Sequence, residues 1–310
     1  MLRFTSKIYF KYLFTLMNKY FIITAGPTGS GKTNLVISTF RFLGIPLESK
    51  YTKILIDDLV ENSKRYKGDV KAIIEKVKDN CHPYSGVNND CFQNAFENPT
   101  EELFEEFNTA YQNAKKTPPC DTSYVIPSEF ASKNNILSCS DLLDDLIENL
   151  TKTKPDIVVF ETTGRTIPTW LLEEKFIPKD YKIILSYSMV SIPNLVIRNK
   201  KRAYDSVKMF DNDFDHPAPR LPDVSEKTFT TVVREIKNSL KEIYEKCIQP
   251  QELNPICGKR KIDRLLIFDN NETQVLVFDS NSQIFTPVKI GGKSKGRKAI
   301  KRRRSLRRKR

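Results

Sequence analysis

The chain is short of metal and redox ligands. It holds only two histidines, His82 and His216, and six widely spaced cysteines (Cys81, Cys91, Cys120, Cys139, Cys247 and Cys257) with no C-x-x-C pair. Cys81-His82 with Cys91 has the beginning of a metal site, but a fourth ligand at motif spacing is missing, so unpaired thiols in an insertion are expected. A disulfide framework is not expected in a chain of this length without a secretory signal. The expectation is a reducing intracellular compartment, cytoplasmic or nuclear. No apolar run is long enough to span a bilayer, because Lys7, Lys11 and Lys19 interrupt residues 1–20. No acidic residue precedes Glu48, and Arg3, Lys7 and Lys11 recur with Phe4, Ile8 and Phe14 between them. That pattern fits a mitochondrial-type presequence, an N-terminal helix beside the first strand, or a start at Met17; the structural readings are preferred. Acidic residues are also missing from 289–310, which carry 13 Lys or Arg. Taking those 13 from the total of 51 leaves 38 basic residues against 38 acidic ones. The body is neutral, which argues against a broad nucleic-acid-binding face on the fold itself.

Glycine is scarce too, at 11 of 310 residues, yet Gly26, Gly29 and Gly31 fall within six positions. They sit in Gly26-Pro27-Thr28-Gly29-Ser30-Gly31-Lys32-Thr33, between a short apolar strand pattern (21–24) and an apolar-periodic helix pattern (35–42). This is the G-x-x-x-x-G-K-[ST] phosphate-binding loop in its strand–loop–helix context. Glycines let successive backbone N–H groups curl around an anion, and the helix that follows points its positive end at the same phosphates. Lys32 is expected on the β- and γ-phosphates and the Thr33 hydroxyl on Mg²⁺. The cofactors implied are ATP or GTP with Mg²⁺.

Further along, residues 51–58 read as a second buried strand ending in Asp57 and Asp58. Residues 69–78 look helical. The stretch 79–135, rich in Asn, Pro, Ser and Cys with one amphipathic segment at 101–111, reads as an insertion. Ser140 is expected to cap a helix over 141–150. A continuous apolar run at 156–160 suits a central parallel strand and is followed by Glu161-Thr162-Thr163-Gly164-Arg165. A helix at 168–175, a strand at 181–187, a basic helix at 192–207 and an amphipathic helix at 226–247 come next. Strands at 264–268 and 274–278 flank Asn270-Asn271 as a hairpin. Strands alternating with helices imply a parallel α/β sheet with right-handed crossovers, in which ligands bind beyond the carboxyl ends of the strands. The loop 26–33, the Asp57/Asp58 pair and residues 161–165 all fall there.

Phosphoryl transfer needs a triphosphate grip, a base for the acceptor's proton and cations for the equatorial oxygens. Asp57 or Asp58 can supply the base, or the pair can only order Mg²⁺ through water. Arg202 and Arg220, with Arg198, can supply the cations as a closing lid, or Arg198 and Arg202 can be no more than a solvated helix face. Glu161, Thr163 and Arg165 can hold the acceptor, or cap the helix that follows.

The segment DIVVFETTGRTIP (156–168), the helix run Asn199-Lys200-Lys201-Arg202-Ala203-Tyr204, Ala218-Pro219-Arg220 and the late strands together resemble the zeta toxin family of P-loop kinases. The likeness runs with gaps from about 21 to about 278. It implies a P-loop phosphotransferase that moves the γ-phosphoryl group of ATP or GTP to a hydroxyl, which in characterised zeta toxins is on the amino sugar of UDP-N-acetylglucosamine. Carried over by residue, Gly26 to Thr33 bind nucleotide and Mg²⁺, Glu161, Thr163 and Arg165 bind the acceptor, and Arg202 and Arg220 stabilise the transferring group. The family's second strand usually ends Asp-x-Asp; here Asp57-Asp58 stands instead, with Asp58 the expected base and Asp57 behind it. The segment before the third strand is longer by some fifty residues, so the acceptor does not transfer with the family.

The fold expected is therefore an α/β parallel-sheet P-loop core with helices on both faces, an insertion, a late β-hairpin and a disordered basic tail. Its divisions are an extension (1–20), a kinase domain (21–285) and the tail (286–310). The polycation of residues 289–310 suits contact with nucleic acid or an import receptor. The leading function is a small-molecule kinase. The alternatives are a polynucleotide 5′-hydroxyl kinase and a nucleotide-binding switch without transfer activity.

Overall fold

The computed structural model describes residues 18–81, 89–126, 128–166, 176–222, 225–248, 262–271, 275–282 and 284–288. Its first strand, β1 (Lys19–Ala25), is apolar on both faces because both are covered; Ile22 and Ile23 are fully buried. Helix α1 (Lys32–Leu43) follows the Gly-rich loop and stops at Gly44, whose φ of 72° lets its N–H turn back to the Arg41 and Phe40 carbonyls. Strand β2 (Thr52–Ile54) leads directly into α2 (Ile56–Glu61), and then α3 (Lys64–Asn80) starts where the Ser63 side chain accepts from the Tyr66 N–H. Helices α4 (Asn89–Glu97) and α5 (Glu101–Lys116) come next. Helix α5 is defined by its ends: Thr100 caps it, Glu101 and Glu102 open it, and Lys115 and Lys116 close it. Helix α6 (Cys139–Glu148) and the short α7 (Leu150–Thr153) lead to β3 (Ile157–Thr162) and β4 (Tyr181–Met189). Helix α8 (Ile192–Asn212) and α9 (Glu226–Ile243), which runs into a π turn over Tyr244–Ile248, precede β5 (Arg264–Asp269), β6 (Val275–Asp279) and β7 (Ile284–Val288).

These strands form one sheet in the order β2-β3-β1-β4-β5-β6-β7. The first five are parallel, and β6 and β7 continue the edge antiparallel. The register sets Thr24 beside Glu161 and Ser186, so the loop after β1 emerges next to the carboxyl ends of β3 and β4. On one face Ile22, Val159 and Ile184 pack against Leu35, Val36 and Phe40 of α1. On the other, Phe21, Ile23, Val158 and Leu185 pack against Ile236 and Ile243 of α9. A third apolar cluster lies beyond the strand ends, where Tyr66 and Ile74 of α3, Phe96 of α4 and Phe107 and Tyr111 of α5 meet Val207 and Phe210 of α8.

The parallel α/β architecture and the late hairpin are as the sequence implies. Four details differ. The strand expected over 51–58 ends at Ile54, and Asp57 and Asp58 stand instead in the first turn of α2, where the positive helix end favours acids. Ser138, not Ser140, caps α6, its hydroxyl accepting from the Asp141 N–H. The hairpin gains a third strand, β7, whose last three residues (286–288) fall in the stretch expected to be disordered tail. The cysteines overturn the expectation of unpaired thiols. Disulfides join Cys81 to Cys91 and Cys120 to Cys139, Cys247 is also disulfide-bonded, and no described cysteine is free. The helices of the insertion bring these sulfurs together: Cys81 ends α3 and Cys91 begins α4, while Cys139 begins α6 beneath the segment that follows α5. The pairing removes the argument for a reducing compartment and for a metal at Cys81 and Cys91, and no His/Cys/Asp/Glu metal cluster occurs among the described residues. No described helix is long and apolar enough to cross a membrane. The expected N-terminal helix or presequence, the helix at 168–175, ligation by His82 and the basic tail beyond residue 288 lie outside the described residues.

Closing loops of 10 and 19 residues with disulfides restricts the unfolded chain, an effect of roughly 3 kcal/mol for loops of this length. A thiol reductant is therefore expected to lower the thermal midpoint by several degrees, and alkylation of the unreduced protein should leave Cys81, Cys91, Cys120 and Cys139 unlabelled. Labelling of these four without reductant refutes the pairing.

Candidate active site

The site is built on the turn between β1 and α1. Gly29 has a φ of 80°, and a Cβ there would lie 2.3 Å from Asn199 Nδ2. The close approach is used: Asn199, buried on α8, donates from Nδ2 to the Thr28 carbonyl at 2.9 Å. Ser188 at the end of β4 and Asn270 after β5 donate to the Ser30 carbonyl at 2.8 and 3.0 Å. Carbonyls of the loop are thus turned outward and held by three neighbouring elements. Of its amides, Ser30 N–H donates to the Pro27 carbonyl at 3.1 Å. Among the described residues, no backbone carbonyl accepts from the N–H groups of Gly29, Gly31, Lys32 or Thr33, and no side chain caps α1. The Ser30 hydroxyl is buried in the same turn without a partner. Unpartnered N–H groups converging at a helix start are the requirement for binding a phosphate chain.

Lys32 spans this cradle, donating from Nζ to the Gly26 carbonyl at 3.0 Å and lying 3.7 Å from Glu161 Oε1. Burial pushes its pKa down and Glu161 pulls it back up, with Arg202 and Arg220 adding to the depression. A cation so placed gains from any arriving anion.

A cavity of about 190 Å³ opens in front of the loop. Lys32, Asp58 and Glu161 all line it, as do Thr33, Asp57, Arg202 and Arg220. The two aspartates have different partners. Asp58 pairs with Lys53 at 2.8 Å. Asp57 is held by Arg220 at 2.5 Å on one oxygen and accepts from the Tyr111 hydroxyl on the other, and the Arg220 guanidinium stacks 4.3 Å from the Tyr111 ring centre. Arg220 is itself positioned through its neighbours, because the Ala218 N–H donates to the Glu61 carbonyl and Tyr66 donates to the Pro219 carbonyl.

The acceptor residues expected as one group are divided. Glu161 faces the loop cavity, whereas Thr163 and Arg165 line a second cavity of about 230 Å³. Arg165 pairs there with Glu235 of α9. Thr28, Arg220, Leu221 and Pro222 border both cavities, so the two are contiguous. Arg198 lines neither; its guanidinium donates to the Asn270 carbonyl at 3.0 Å and ties α8 to the sheet. Sequence reasoning missed Lys53, Glu61, Tyr111, Asn199 and Asn270. Of these only Asn199, a polar residue on the apolar stripe Leu195, Ala203 and Val207 of α8, left a readable signal.

The comparisons with known proteins add little to this geometry. No family model and no curated protein matches the chain. Among solved structures, the PezAT chromosomal toxin-antitoxin system of Streptococcus pneumoniae is similar over 86% of this chain and 74% of that one, with a TM-score of 0.41 and 11% identity. A likeness at that level carries no functional argument. The strand order, the loop and the cavity themselves make this a P-loop kinase-like fold.

Burial, reinforced by Asp57, raises the Glu61 pKa to about 8, with Arg220 and Arg202 opposing. A carboxyl whose folded pKa lies above its unfolded value contributes stability that is complete below about pH 4.5 and lost as pH rises through 8. In nucleotide-free protein, Glu61→Gln should leave the thermal midpoint unchanged near pH 4.5 and raise it relative to wild type by about 4 °C at pH 8. A gap that does not vary with pH means that Glu61 is not held protonated.

Proposed function

We propose that the protein is a nucleotide-dependent kinase that transfers the γ-phosphoryl group of ATP or GTP to a hydroxyl of a small acceptor. The observation that carries this reading is the shared cavity: unpartnered loop amides and Lys32 on one side, Asp57, Arg202 and Arg220 on the other, opening past Arg220 into a second chamber. A site for nucleotide hydrolysis alone has no use for that chamber.

On this reading the N–H groups of Gly29, Gly31, Lys32 and Thr33 with the Lys32 side chain would hold the β- and γ-phosphates, and the Thr33 hydroxyl would hold Mg²⁺, which would further neutralise phosphate charge. The acceptor hydroxyl enters from the second cavity, next to Arg220. Its oxygen forms the new bond to the γ-phosphorus as the bond from phosphorus to the β–γ bridging oxygen breaks, leaving the nucleoside diphosphate. The hydroxyl proton passes to a carboxylate. Asp57 suits this role better than Asp58, because its partners Arg220 and Tyr111 both border the acceptor cavity, whereas Asp58 is committed to Lys53. Arg202 and Arg220 offset the charge on the equatorial oxygens. Thr163 and Arg165 contact the acceptor.

Single-turnover phosphate transfer tests the assignment. Lys32→Ala is expected to abolish nucleotide-dependent activity. Asp57→Asn should lower the transfer rate about 10²- to 10⁴-fold. Arg165→Ala should weaken acceptor use while nucleotide affinity, read by calorimetry, stays the same. If Asp58→Asn is the more damaging change, the two aspartates must exchange roles, and if Arg165→Ala removes nucleotide binding the division of the site fails.

A further inference from the structure

The second cavity carries information about the acceptor that the phosphate loop does not. One wall is a single stripe of α5: Phe104, Phe107, Asn108, Tyr111 and Gln112 stand at spacings of three and four and line the chamber together. Phe229 and Val232 of α9 line it as well. Apolar side chains from both helices with amides beside them suit a flat ring with hydrogen-bonding groups on its edge, resting on the partly exposed Phe104 and Val232 and read by Asn108 and Gln112.

Charge and size narrow the choice. The lining contains two cations, Arg165 and Arg220, and each is already paired with a carboxylate, Glu235 and Asp57 respectively. On the kinase reading Arg220 serves the γ-phosphate, so a diphosphate or a nucleic-acid backbone in this chamber has only Arg165 and must draw it from Glu235. Its volume of about 230 Å³ is below the roughly 300–1,000 Å³ of pockets that enclose drug-sized ligands. A ring joined to a sugar-sized group fits; a nucleotide sugar does not.

We infer that the α5 cavity binds an uncharged, ring-bearing alcohol of nucleoside size, with Asn108 and Gln112 determining specificity. The inference rests on the kinase reading above. It also separates this chain from the amino-sugar nucleotide that family resemblance implies, because α5 belongs to the segment in which the chain is longer than that family.

The test uses the full-length protein with ATP or GTP and Mg²⁺. Thymidine, adenosine and guanosine are compared with UDP-N-acetylglucosamine and a 5′-hydroxyl decanucleotide, by thermal shift and by transfer of labelled phosphate. Nucleotide binding is titrated separately. At least one nucleoside should raise the midpoint and accept phosphate, and the double change Asn108→Ala with Gln112→Ala should lower its kcat/KM at least tenfold through KM. Phosphorylation of UDP-N-acetylglucosamine or of the decanucleotide with the nucleosides inert overturns the inference while leaving the kinase reading intact. So does nucleotide binding with no response to any nucleoside. Failure to bind ATP or GTP at all removes the kinase reading, and this inference with it.

Discussion

The constraint on which the site depends is that amides at the start of α1 have nowhere to donate. A helix start normally borrows acceptors from a capping side chain, and here Gly31 occupies that position without one. The surrounding structure makes the arrangement worse for the free protein and better for a phosphate chain. Asn199, Ser188 and Asn270 occupy the Thr28 and Ser30 carbonyls, so these cannot accept from the loop's own N–H groups, of which only Ser30's has a backbone partner, the Pro27 carbonyl, among the described residues. Each of the three comes from a different element, α8 or the ends of β4 and β5, all set by the parallel register. The candidate anion site is thus a property of the whole sheet edge rather than of eight consecutive residues.

Much of this was legible because local chemistry and global fold agree. Gly26 to Thr33 could be read from residue types alone, since few other structures need three glycines and a lysine at that spacing. The apolar runs that become β1, β3 and β4 are buried on both faces and so lack the alternation that would have made them ambiguous. Asp57 and Asp58 were found but misplaced: a three-residue strand followed at once by a helix looks like one longer strand, and two acids suit a helix start as well as a strand end. Glu61, Lys53 and Tyr111 were not legible, because what brings them to the cavity is the packing of α2, β2 and α5.

The insertion is where sequence reasoning was weakest. Its composition of Asn, Pro, Ser and Cys reads as irregular outside the amphipathic segment at 101–111, yet α4 as well as α5 is helical, and together they bury Phe96, Phe107 and Tyr111 against α3 and α8. The helical stripe is narrow, and the disulfides close on either side of it. Cysteine pairing could not be inferred from spacing, since it depends on helix ends that meet only once the cluster has formed. That cluster then does two things: it covers the strand ends, and through Tyr111 it places a hydroxyl on Asp57.

The charges of the cavity show how binding and chemistry are linked on the proposed reading. Its lining holds four cations, Lys32, Lys53, Arg202 and Arg220, and four carboxylates, Asp57, Asp58, Glu61 and Glu161. Burial keeps the Glu61 proton in place, which leaves the lining with a positive balance. Two of the groups the reaction needs are nevertheless tied to each other, because Arg220 is the ion-pair partner of Asp57. A γ-phosphate competes with Asp57 for the guanidinium, and drawing Arg220 towards it leaves the carboxylate with only the Tyr111 hydroxyl. The same displacement that positions the cation therefore frees the base, next to the chamber from which the acceptor hydroxyl must come. Tyr111 prevents Asp57 from following Arg220, which gives the inserted helix a reason to reach into the site.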